Sequence, residues 1–225
     1  EAVAGFLGKP GSELEPPRSA FCADRTVSFT GAPPTWNGWS PAATNTRYQP
    51  SPAAGLNINQ VPRLKLKWAF GYEGDVQAFS QPTVVGAHLF IGSVSGRVHA
   101  LDAQTGEVIW TQTFRSSSHP KNEVHWLCPN NLNATPVIDR SRNLIFVIAA
   151  DGKLNGLDLG TGKISWGPIQ FVSPYSKSWS LNLLNGYVYT SLSQNCGGAP
   201  SGIYAMDTRD PYRPGAGDGR IPHTG

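Results

Sequence analysis

Charge is scarce in this chain. Asp, Glu, Lys and Arg make up 15% of 225 residues, against roughly a quarter in ordinary soluble domains. The balance is only +3 and the basic residues are scattered, which argues against a nucleic-acid arm. No apolar stretch approaches the roughly 18 residues of a membrane-spanning helix. The sequence has no C-x-x-C-H run, so no c-type haem is attached within it. It has no G-x-S-x-G to support serine hydrolase chemistry. The three cysteines, Cys22, Cys128 and Cys196, lack metal-site spacing. In an oxidising compartment two of them would pair; Cys128 with Cys196 is the preferred pair, with connectivity left open. There is no initiator Met and no leader pattern, and the chain reads as a fragment of a longer protein.

Glycine (25), proline (19) and tryptophan (7) are abundant. That mixture suits many short strands and tight turns. Residues 1–10 read as the last helical turns of a preceding domain, residues 11–35 as a Pro/Ser/Gly-rich linker, and residues 36–225 as the strand-rich body. Leu64, Leu66, Trp68 and Phe70 alternate with Lys65, Lys67 and Ala69, which predicts a half-buried strand.

A unit of four short strands then recurs. In the first copy, hairpins turn at Gly86-Ala87, Ser95-Gly96 and Thr105-Gly106. In the second they turn at residues 140–143, Asp151-Gly152 and Thr161-Gly162. A third copy, from Trp179, turns at Asn185-Gly186 and runs to Asp207. Asp-Gly and Asn-Gly favour hairpins because both turn positions tolerate positive φ. The sharpest repeat is Ala100-Leu-Asp-Ala-Gln-Thr-Gly-Glu-Val-Ile-Trp110 against Gly156-Leu-Asp-Leu-Gly-Thr-Gly-Lys-Ile-Ser-Trp166. The third copy, Ala205-Met-Asp-Thr-Arg-Asp210, loses both Thr-Gly and Trp. Asp102, Asp158 and Asp207 follow one another after 56 and 49 residues, close to the ~40–50 residues of a propeller blade. The fold class is therefore all-β, a propeller of four-stranded antiparallel blades, with about three blades and so incomplete in this chain.

The frame A-x-D-x-x-T-G-x-x-x-W resembles the tryptophan-docking motif of bacterial quinoproteins. Trp36-Asn-Gly-Trp-Ser40, Asn45-Thr-Arg-Tyr-Gln-Pro50, residues 61–70 and Gln81-Pro-Thr-Val-Val85 are similar to the polyvinyl-alcohol dehydrogenase branch of the pyrroloquinoline quinone (PQQ) enzymes. The resemblance implies periplasmic or secreted oxidation of secondary alcohols, including polymers, by PQQ held beside Ca²⁺. Electrons would pass to cytochrome c, with haem c on a preceding domain outside this chain. The resemblance also implies a Trp floor for the quinone, and Trp179, with Lys177 and Ser178, matches that position; the alternative is a core Trp between blades. An amide following that strand reaches the metal in the family, and Gln194 or Asn195 stands there; the alternative is a polar loop. Phe79 or Ser80 stands where the family has a quinone-contacting Glu, the vicinal Cys pair is absent, and no catalytic residue is assigned. His119, His125 and Cys128 form a second, looser metal candidate or simply a loop at the propeller mouth. The competing reading of the whole is a non-catalytic propeller that binds protein or polysaccharide; a third is a redox propeller using a different cofactor.

Overall fold

The computed structural model describes residues 18–25, 36–72, 74, 75, 78–115, 128 and 132–210. The expected helix of residues 1–9, most of the linker, His119, His125 and the tail from residue 211 lie outside these residues. Within them stand three antiparallel sheets. The first is β1 (Thr83–Val85), β2 (His88–Gly92), β3 (Arg97–Asp102) and β4 (Val108–Thr113), in that order. The second repeats it with β5 (Val137–Asp139), β6 (Leu144–Ile148), β7 (Lys153–Asp158) and β8 (Ile164–Gln170). In the third, β10 (Asn182–Leu184), β11 (Tyr187–Ser193) and β12 (Gly202–Asp207) follow the same path. There the short β9 (Lys177–Ser178) pairs with the far end of β11.

The registers are equivalent. Phe90 faces Ala100, Phe146 faces Gly156 and Tyr189 faces Ala205 across their respective strand pairs. A blade has two apolar faces, so each must be covered by a neighbour. Phe90, Val98, Ala100 and Trp110 form one core with Ile138, Ile145, Val147 and Leu157 of the second sheet. The opposite face of that sheet, with Val137, Phe146, Leu154 and Trp166, packs on Leu181, Val188, Leu192, Tyr204 and Met206 of the third.

The repeated Thr-Gly and Trp are two halves of one joint. The Trp110 ring lies so close to Gly162 that an added Cβ would sit 2.5 Å from it, and Gly162 has φ +71°. Trp110 Nε1 donates to the Leu159 carbonyl at 2.9 Å. Trp68 repeats the arrangement on Gly106, donating to the Ala103 carbonyl at 3.1 Å. At the third joint the Thr-Gly is missing and the outcome differs. Arg142 donates to the Thr208 carbonyl, the acceptor position equivalent to Ala103 and Leu159, and to Thr208 Oγ1. The buried Trp166 Nε1 has no partner among the described residues. Leaving a buried acceptor or donor unpaired costs about 1–3 kcal/mol. We therefore expect Trp110→Phe to lose about 2 kcal/mol more stability than Trp166→Phe in urea unfolding, since only the former breaks an existing bond.

The expected strand over residues 64–70 is extended but unpaired among the described residues. Trp68 and Phe70 are partly covered by the first sheet, whereas Leu64 and Leu66 are 60% and 84% exposed. Alternation sets the side-chain directions; a strand also needs a neighbour, and none lies beside it among the described residues.

Candidate cofactor cleft

Three consecutive residues stitch the inner strands together. Trp36 bridges Val84 of β1. The Asn37 side chain acts as a strand edge for β5, accepting from Ile138 N at 2.7 Å and donating to Ile138 O at 2.8 Å. Gly38, at φ +80°, accepts no side chain: a Cβ there would lie 2.2 Å from the Leu181 carbonyl oxygen beside β10. This path delivers Trp39 to the third sheet. Arg47 stacks its guanidinium 4.8 Å from the Trp39 ring centre.

Trp39 and Asn45 form one wall of a cleft of about 650 Å³, and Trp179, Ser180, Asn182 and Tyr189 form the other. Trp179 is held by its edges, which leaves a face of the ring open. Its backbone N–H donates to Ser191 O at 3.0 Å, Nε1 donates to Ser193 Oγ at 2.9 Å, and its carbonyl accepts from Thr190 Oγ1 at 2.8 Å. The residue is 43% exposed. Lys177 places its ammonium 5.3 Å from the ring centre and donates to Gln194 Oε1 at 2.6 Å. Ser180 is buried, and its Oγ has no partner among the described residues. A buried hydroxyl lining a cleft is a ready hydrogen-bonding point for a bound molecule.

Of the five residues expected from sequence, only Trp179 lines this cleft. Lys177 touches the ring and binds Gln194. Ser178 is buried, and its carbonyl accepts from Asn133 Nδ2 at 2.8 Å. Gln194 and Asn195 are exposed and left-handed, at φ 65° and 50°, in the turn before Cys196. No group of three or more His, Cys, Asp or Glu able to hold a metal occurs among the described residues. Cys128 is joined to Cys196 in a disulfide, so it is no thiolate ligand for the looser His–His–Cys candidate. Asp102 and Asp158 cap their own turns, accepting from the backbone N–H groups of Thr105 and Thr161 at 2.8 Å. His99, pushed down to about 4 by burial and then by the Arg97 charge, is bonded to Thr111 and stands apart from the cleft.

Sequence reasoning missed Trp39, Asn45, Ser180, Asn182 and Tyr189 as one set. Trp39 and Trp179 stand 140 residues apart, and only the Trp36–Gly38 path brings them together.

Repeated four-stranded sheets joined by docked tryptophans define a quinoprotein-type β-propeller. The crystal structure of the quinohemoprotein alcohol dehydrogenase from Comamonas testosteroni has the same fold. It matches 78% of this chain and 26% of its own, with a TM-score of 0.57 and 22% identity. A family model, PQQ_2, described as "Outer membrane protein assembly factor BamB", matches residues 63–207, and the chain belongs to that family. A polyvinylalcohol dehydrogenase of Sphingopyxis sp. (strain 113P3) is 33% identical over 184 residues, which is 81% of this chain and 26% of that protein. Another, from Pseudomonas sp, is 50% identical over 93 residues, 41% of this chain and 14% of that protein. The chain thus spans about a quarter or less of the length of these relatives.

Proposed function

We propose that this chain supplies the tryptophan floor of a quinone site in a PQQ-dependent alcohol dehydrogenase acting on secondary alcohols, polymeric ones such as polyvinyl alcohol included. The observation that carries the reading is the open Trp179 ring beside the unpaired Ser180 hydroxyl. A planar fused-ring cofactor stacks well on indole. The fit is good for the ring system: Trp179 would hold its face, Ser180 Oγ and the Asn45 and Asn182 amides would meet its carbonyl and carboxylate oxygens, and Lys177 and Arg47 supply positive charge behind the two indoles. When bound, PQQ supplies the two-electron acceptor for alcohol oxidation. This chain's residues bind it, orient it and shield it from water.

Calcium fits less well. Gln194 and Asn195 are the amide oxygens we propose for it, but Gln194 Oε1 already accepts from Lys177. A hard cation wants about six to eight oxygens, carboxylates among them. No step is derived through the ion.

Residues 1–10 and 11–35 are proposed as the end of a haem c domain and its linker, which makes cytochrome c the electron acceptor. A periplasmic or secreted location is supported by the Cys128–Cys196 disulfide, since such bonds persist in oxidising compartments. The second reading, a non-catalytic binding scaffold, is favoured by one feature: among the described residues, no carboxylate or imidazole lines the cleft to take the alcohol proton.

The deciding experiment is anaerobic titration of the purified protein with PQQ and Ca²⁺, followed by dye reduction with a secondary alcohol. We expect saturable binding, weakened about tenfold or more by Trp179→Ala, with an unchanged unfolding midpoint because the ring is half exposed. Absence of PQQ binding by folded protein favours the scaffold.

A further inference from the structure

The two ends of the three-sheet arc are complementary. At one end, residues 64–70 are extended and carry Trp68 docked on Gly106 as Trp110 docks on Gly162. Trp110 belongs to β4, the outermost strand of its sheet. Residues 64–70 therefore stand where the outermost strand of a preceding blade belongs, with no inner strands beside them among the described residues. At the other end, the third sheet has the inner three strands. Its last described strand is β12, and no counterpart of β4 or β8 follows among the described residues. The face of this sheet turned away from the second carries Leu184, 49% exposed, and Ile203, 46% exposed. Residues 36–72 contain no acidic side chain, so nothing charged negatively opposes pairing along that edge.

We propose that this chain associates head-to-tail with a second copy, residues 64–70 of one copy adding as the outer strand to β12 of the other. An edge strand with unpaired backbone groups is a template for such addition. The first sheet of the incoming copy then covers the Leu184–Ile203 face, as the second sheet covers the first within the chain. The repeat sets the register. Trp110 lies opposite Ala100 and Trp166 opposite Gly156, and Ala205 is the corresponding residue of β12. Trp68 of one copy therefore lies opposite Ala205 of the other. Three residues on, as Thr113 lies opposite Arg97, Gly71 lies opposite Gly202. The interface is heterologous, using different surfaces on the two copies, so it closes into a ring or propagates according to the rotation between copies.

The test is a cysteine pair at Gly71 and Gly202. Both positions accept a Cβ: nothing lies within 4 Å of the first, and only the Tyr204 ring, at 3.9 Å, approaches the second. Directly opposed strand residues fall within disulfide reach. The Gly71→Cys/Gly202→Cys protein should form reductant-sensitive oligomers on oxidation well beyond those of either single variant. Light scattering of the unmodified chain should show a mass above 24.1 kDa that falls on dilution. Leu66→Lys, at a side chain exposed in the isolated chain, should weaken association about tenfold or more while leaving circular dichroism unchanged. A chain that is monomeric throughout the dilution series, or a double variant that cross-links no better than the single ones, overturns the proposal. Protection of the β12 amides in a monomer overturns it equally, because the chain's own residues then cover that edge. These readouts are independent of quinone binding.

Discussion

Gly38→Ala is expected to destabilise the protein by about 3–5 kcal/mol, a large effect for the addition of one methyl group. Two costs combine. Gly38 has φ +80°, where an L-residue pays roughly 1–2 kcal/mol. The new Cβ would also lie 2.2 Å from the Leu181 carbonyl oxygen, and relieving such overlap costs about 1–3 kcal/mol or more. Backbone, unlike the end of a flexible side chain, has little room to give. Gly86→Ala separates the two: its φ is +62° but nothing lies within 4 Å, so it should show only the first cost. The comparison is read from urea midpoints at constant slope. The consequence reaches the cleft, because residues 36–38 touch one sheet after another before Trp39 arrives opposite Trp179. Displacing them moves one wall of the cleft. Quinone binding in Gly38→Ala should weaken even under conditions where the protein remains folded, whereas Gly86→Ala should bind as the unmodified chain does. Equal midpoints for the two variants would mean that the crossing at Leu181 is looser than the geometry indicates.

Local chemistry was legible in the sequence, and contacts across long separations were not. Asp151-Gly152 and Asn185-Gly186 announced hairpins because both demand positive φ, and both turn as expected. The Thr-Gly to Trp frame gave the blade period, and the quinoprotein resemblance rested on it. Its mechanism needed coordinates: the glycine of one blade is vacant space for the tryptophan of the preceding one. The degraded third frame showed that something differs there, but not that Arg142, 66 residues earlier, takes the Thr208 carbonyl. Asn37 looked like part of a turn; its amide imitates a strand for Ile138 101 residues away. Residues 64–70 alternated like a strand, yet alternation describes one chain and pairing requires two. In the site, Trp179 was chosen by resemblance and does line the cleft. Ser180 beside it carried no signal, since its importance lies in an unpaired atom that only the fold creates.

Removing the Cys128–Cys196 bond should cost about 4 kcal/mol, from the loop entropy of a cross-link spanning 68 residues. For a domain of this size that lowers the thermal midpoint by roughly 10 °C. The bond closes a loop that holds the whole second sheet and most of the third, so the unfolded chain gains freedom in both when it is cut. The effect should appear equally on mild reduction and in Cys128→Ala/Cys196→Ala. Cys22→Ala is the control. Burial, and then the neighbouring Glu107 carboxylate, raise the Cys22 thiol pKa; it therefore stays protonated near neutral pH and exchanges slowly. Local consequences should follow the global one. Gln194 and Asn195 immediately precede Cys196, and Gln194 anchors the Lys177 ammonium over Trp179. Freeing that turn should loosen the cation behind the indole, so the reduced protein should bind PQQ more weakly at temperatures well below its midpoint. If reduction lowers the midpoint but leaves binding intact, the disulfide staples the blades without steadying the cleft. If it changes neither, the unfolded chain is already restrained across this span, and the stitching by residues 36–38 carries the cohesion of the sheets.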